Sequence, residues 1–165
     1  MKLSFFSLAS GSSGNCYYLG TPDFGILIDA GISFRTIKKV LKDNNIDISK
    51  IAAVLVTHDH ADHIKTVGYL GEKMYLPVYT TADVHRGIDN SRYVEETLNG
   101  SRRIIQKEVP FMIRDFSIVA FEVPHDSTDN VGYHICYKEH KFTFATDVGH
   151  ITDTVKKYMS MANHL

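Results

Sequence analysis

Tryptophan is absent from this chain of 165 residues, cysteine occurs twice and proline four times, and charge of either sign is nearly balanced at a net of −1. Each scarcity excludes something. No stretch approaches the ~20 consecutive apolar residues that a bilayer-crossing helix needs, so no membrane partner is expected. Two cysteines, Cys16 and Cys136, cannot form a disulfide framework, and a reducing, cytoplasmic setting is the simpler reading. No repeat, low-complexity tract or Pro/Gly-rich linker divides the chain, which points to a single domain over residues 1–165. The near-zero net charge gives no global pull on nucleic acid or membrane. With 44% hydrophobic and 22% charged residues, the composition is that of an ordinary globular protein, not of a disordered, collagen-like or coiled-coil chain. The opening MKLSFFSLASGSSGNCYYLG has the lysine, apolar run and small residues of a signal peptide. Its run is short and its lysine single, so it reads as a first strand. Histidine, at nine copies, is the one excess.

Strands are expected at 3–8, 16–19 and 26–29, joined by turn-forming runs (Ser10 to Asn15, then Thr21 to Gly25) and so consecutive and antiparallel. Ser33 is placed to cap a helix in which Phe34, Ile37, Val40 and Leu41 recur at helical spacing, with Arg35, Lys38, Lys39 and Lys42 facing out. Residues 51–56, IAAVLV, suit a strand buried on both faces. A helix is expected over 64–74, a strand at 78–80, a helix over 83–88 and a strand at 103–106. Three further strands follow, at 116–123, 131–137 and 141–145, and then a helix from about 152 to 161. Helices mixed with parallel and antiparallel strands predict an α+β or layered α/β sandwich.

His58, His60, Asp62 and His63 fall within six residues, directly after the buried strand. At a strand end, side chains at i and i+2 share a side, so His58 and His60 can converge on one cation. Asp62 and His63, on the following turn or helix start, can reach a second. Imidazole and carboxylate are the donors expected for zinc, and they also serve manganese or iron. His125 and Asp147 each end an expected strand. A single such residue usually caps a turn, but three strand ends offering ligands is what a site along one sheet edge requires.

The H-x-H-x-D-H element after a buried strand resembles the metallo-β-lactamase-fold hydrolases, as do Leu27-Ile28-Asp29-Ala30-Gly31 and the later His125 and Asp147. The stretches SLASGSSGNCYYLGT, PHDSTDNVGY and FATDVGHIT are most similar to the YycJ-like bacterial branch, whose members resemble nucleases. The resemblance implies an αββα sandwich of mixed sheets flanked by helices. It implies that His58, His60 and His125 hold one metal, that Asp62 and His63 belong to a second, and that Asp147 bridges them. Asp29 would support the metal loop from behind its ligands. A hydroxide generated on the metals would be the nucleophile, with Asp62 or a metal-bound water passing a proton to the leaving group. A phosphodiester, DNA included, is the substrate the resemblance favours.

The family usually supplies one more histidine and a closing C-terminal part. Here only His164 is a nominal candidate, so the expectation is a C-terminally incomplete domain whose second metal site is open on one side. A thioester or lactone hydrolase of the same fold, or a non-catalytic metal-binding fragment, stays open as an alternative. His85, His134, His140 and His150 read as packed or solvated residues, and Cys16 and Cys136 as buried thiols. The basic pairs Lys38-Lys39, Arg102-Arg103 and Lys156-Lys157 read as solvated faces. The Ser10 to Asn15 loop reads first as a turn and secondarily as a lining of the site.

Overall fold

The computed structural model describes residues 2–124, 129–146 and 150–163. A six-stranded sheet runs in the order β1 (Ser4–Ala9), β2 (Cys16–Gly20), β3 (Gly25–Ile28), β4 (Ile51–Leu55), β5 (Val78–Thr80), β6 (Arg102–Ile104). Its first three strands are antiparallel neighbours, and β3 to β6 pair in parallel. The second sheet is antiparallel, in the order β10 (His140–Phe144), β9 (Val131–Tyr137), β8 (Phe116–Glu122), β7 (Phe111–Ile113).

The alternation within IAAVLV explains how the layers stack. Val54 and Val56 join one apolar cluster with Ile37 and Leu41 of α1 (Phe34–Asp43), Leu70 of α3 (Val67–Glu72) and Val84 and Ile88 of α4 (Ala82–Asp89). Ala53 and Leu55 point the other way, into a cluster with Phe116, Ile118, Tyr133 and Ile135 of the second sheet. A strand whose side chains alternate between two cores must be apolar throughout, and this one is. On the far face of the second sheet, Phe121 and Val123 pack against Val155 and Tyr158 of α5 (Asp153–Met161). Helix, sheet, sheet and helix therefore form the αββα sandwich that the family resemblance implies.

Local signals explain the element ends. The Ser33 hydroxyl accepts from the Thr36 N–H and caps α1, and Thr81 and Thr152 cap α4 and α5 in the same way. The expected helix over 64–74 is instead two short ones, α2 (Ala61–Ile64) and α3. Between them Thr66 leaves helical geometry, because its N–H donates to Ala30 O at 2.9 Å and its hydroxyl donates to Ile32 O at 2.5 Å. The strand β7, paired only with β8 at the edge of its sheet, has no counterpart in the sequence reading. Cys16 is buried as expected, but Cys136 is half-buried. On α5, Val155 and Tyr158 are covered, whereas Ile151 just before the helix and Met159 on it stay exposed. Among the described residues no helix is long and apolar enough to cross a membrane.

Candidate metal centre

The chain leaves β4 at Leu55 and passes through Val56 and Thr57 into the histidine-rich stretch. His60 stands at the N-cap position of α2, while Asp62 and His63 lie within that helix. Three imidazoles gather there: the His58 ring centroid is 4.7 Å from that of His60 and 4.0 Å from that of His63. His58 and His63 are buried, and His60 is exposed. The Asp62 carboxylate reaches to 3.9 Å from His63 Nε2.

Beneath this cluster lies Asp29, fully buried. It ends β3 in the left-handed region, with φ of 61°, a conformation that aspartate tolerates better than most residues. The turn aims its carboxylate under the histidines. Oδ1 accepts the Thr57 N–H at 2.8 Å, and Oδ2 accepts the Thr57 hydroxyl at 2.7 Å and His63 Nδ1 at 2.6 Å. The Thr57 hydroxyl spends its single hydrogen on Asp29, so in its 2.9 Å contact with His58 Nδ1 it accepts. One carboxylate thus fixes two rings, His63 directly and His58 through a hydroxyl. In both, Nδ1 donates, so Nε2 is the nitrogen that would ligate a metal, the arrangement a metal-ligating histidine requires.

A second support comes from the 10–15 loop. Asn15 N–H donates to Asp62 O at 2.8 Å, and the Asn15 side-chain amide approaches Asp62 Oδ2 at 3.3 Å. The loop therefore lines the cluster rather than serving only as a turn. Gly31 makes the approach possible: a Cβ there would lie 1.8 Å from Asp62 O. The second sheet is tied in by Val131 N–H donating to Thr57 O at 2.9 Å and by the Tyr133 hydroxyl donating to Val56 O at 2.6 Å. Asp129 accepts from Thr81 Oγ1 at 2.8 Å and from Lys107 Nζ at 2.7 Å. The start of β9 is thereby held beside the histidine stretch.

Burial and the Asp29 charge push the Cys16 thiol far above its ordinary range, so it is an inert packing group. His85 Nε2 donates to Arg103 O at 2.8 Å, away from the cluster, and His134 pairs with Thr143 Oγ1 at 2.7 Å. Burial lowers the pKa of both. They are packed residues, as the sequence suggests.

The donors fit a divalent cation in their chemistry: neighbouring imidazoles in the ligand tautomer, an adjacent carboxylate, and a buried carboxylate behind them. Among the described residues, no three histidine, cysteine or carboxylate side chains form a complete metal-binding group. The other expected ligands, His125 and Asp147, and the nominal candidate His164 lie outside the described residues. Sequence reasoning missed Thr57, whose signal was its hydroxyl immediately ahead of the first histidine, and it placed Asn15 only within a loop that reads first as a turn and secondarily as a lining of the site.

The sequence profile described as Beta-lactamase superfamily domain matches residues 25–165. The chain belongs to this family. It is 31% identical over 163 residues to the exodeoxyribonuclease YycJ of Bacillus anthracis, which covers 99% of this chain and 61% of that protein. To the exodeoxyribonuclease WalJ of Streptococcus pneumoniae it is 32% identical over 164 residues, covering 95% and 61%. The chain thus spans about three-fifths of the length of these curated relatives. Among solved structures of beta-lactamase-superfamily fold, Zn(2+)-bound PqqB from Methylobacterium extorquens matches at a TM-score of 0.72 with 17% identity, over 87% of this chain and 56% of that one. The subclass B3 metallo-beta-lactamase BJP-1 of Bradyrhizobium japonicum matches at 0.70 with 14% identity, over 94% and 68%. These likenesses agree with the αββα architecture.

Proposed function

We propose that this chain, as a single metallo-hydrolase domain over residues 1–165, carries the site of a metal-dependent hydrolase that cleaves phosphodiester bonds in nucleic acid. The observation that carries the reading is the gathering of His58, His60 and His63 above Asp29, with both buried rings locked in the ligand tautomer. The nuclease names of the YycJ and WalJ relatives supply the substrate class. On this reading His58, His60 and His125 would hold one divalent cation, Asp62 and His63 would contribute to a second, and Asp147 would serve both. Zinc suits the donor set best, and manganese or iron also suits it.

A bound divalent cation supplies Lewis acidity and brings the ionisation of water toward neutral pH. The protein's own groups do the rest. Asp29 and Thr57 hold the rings of His63 and His58 at fixed angles, so no ordering is needed when the metal arrives. The Asp62 carboxylate, held by Asn15 and partly exposed, is placed to take a proton from the attacking water and return it to the leaving oxygen. No serine or cysteine nucleophile is required.

Elemental analysis of the full chain purified without added metal tests the reading, together with hydrolysis of bis-p-nitrophenyl phosphate and labelled DNA. Divalent metal should be present, and both metal and turnover should be lost in His58→Ala and His60→Ala. Unchanged metal content in both variants, or hydrolysis that persists in excess chelator, overturns it.

A further inference from the structure

A cavity of about 330 Å³ opens beside the histidine stretch, between the start of α1, α3 and the 91–96 segment. Phe34, Tyr69 and Tyr93 contribute rings to its lining, with Lys65, Glu95 and Glu96 around them. The Phe34 and Tyr69 centroids are 4.8 Å apart. Tyr69 is 37% exposed and Tyr93 53%, and the Arg92 guanidinium sits over the Tyr93 ring at 5.2 Å. Exposed aromatic rings grouped around one concavity mark a binding surface more often than a packing accident.

Lys65 joins this cavity to the site. It follows α2 directly, and its ammonium donates to Ser13 O at 3.3 Å, in the loop whose Asn15 holds Asp62. One cation therefore both lines the aromatic cavity and contacts the loop that braces Asp62.

We propose that the cavity is a nucleobase subsite that receives an unpaired base next to the phosphate held at the histidine cluster; this rests on the phosphodiesterase reading above. Glu95 and Glu96 repel a phosphate from the cavity but accept hydrogen bonds from the amino group of cytosine or adenine. The rings offer a stacking face that any base can use. The backbone between that base and the cluster passes the rim against Lys65. A base enters such a cavity only when it is out of a duplex, so the substrate is a single-stranded segment or end.

Fluorescence anisotropy of the full chain in excess chelator, where nothing is cleaved, tests the proposal with a short labelled oligodeoxycytidylate and an abasic strand of equal length. Tyr93→Ala should weaken oligodeoxycytidylate binding roughly tenfold, and Tyr93→Phe should retain it. The abasic strand should bind the wild type more weakly and be indifferent to Tyr93→Ala. Equal binding of the two strands, with no effect of Tyr93→Ala, overturns the subsite but leaves the phosphodiesterase reading to its own metal and hydrolysis test. Saturation by tetramethylammonium that depends on Tyr93, with no oligonucleotide effect, assigns the cavity to a cation and also overturns the proposal.

Discussion

Asp29 Oδ2 and His63 Nδ1 stand 2.6 Å apart, both buried, although 34 residues separate them in the chain. The pair joins the end of β3 to the helix that carries Asp62 and makes the β3 turn a support of the candidate centre. Asp29→Asn removes the charge and replaces one acceptor oxygen by a donor facing donors. The loss should cost about 2–3 kcal/mol of stability and roughly 10–100-fold in metal affinity. Urea unfolding and zinc competition against a chromogenic chelator measure the two effects; wild-type values in both would remove Asp29 from the site.

Thr57→Val takes away the hydroxyl between Asp29 and His58 while keeping the backbone N–H bond to Asp29. His58 then loses its orienting acceptor, and zinc affinity should fall roughly tenfold or more. Thr57→Ser should restore affinity to within a few-fold of wild type. A serine variant as weak as the valine one would show that shape at position 57, not the hydroxyl, is what matters.

Gly31→Ala brings a methyl to 1.8 Å from Asp62 O. The clash is with backbone and cannot be relieved by a side-chain rotation, so the expected cost is about 1–3 kcal/mol, with weaker metal binding as the Asp62 segment is displaced. Gly100→Ala, where the added methyl meets nothing within 4 Å, serves as the control and should leave both quantities near wild type.

Acidification should destabilise the fold through His85 and His134. Burial lowers the pKa of each in the folded state, so below about pH 6.5 the unfolded chain binds protons that the folded chain resists. Stability is therefore insensitive to these two groups above that pH and falls as pH drops through it. In urea titrations between about pH 7.5 and 5, the doubly substituted His85→Gln, His134→Gln chain should show a shallower loss than wild type. Equal slopes would mean that neither histidine resists protonation.

Much of the architecture was legible because its signals are local. Ser33, Thr81 and Thr152 precede the helices they cap, and IAAVLV is apolar at every position because both of its faces are covered. The expected ligand positions His58, His60, Asp62 and His63 were legible as well, since they crowd into six residues. The break between α2 and α3 was not, because it depends on Thr66 reaching Ala30 and Ile32 across the fold. Nor was β7, an edge strand paired only with β8.

Periodicity, caps and clustered donors by themselves determined a mixed α+β fold and the residue types offered to a metal, because they act over a few neighbouring positions, and the αββα family followed from the resemblance of its motifs. Only the folded chain decided that Asp29 holds His63 directly and His58 through Thr57, that Asn15 braces Asp62, and that Phe34, Tyr69 and Tyr93 share one cavity. Those relationships are hydrogen bonds and contacts between segments distant in the chain, and such pairings exist only after the two sheets and their helices have packed.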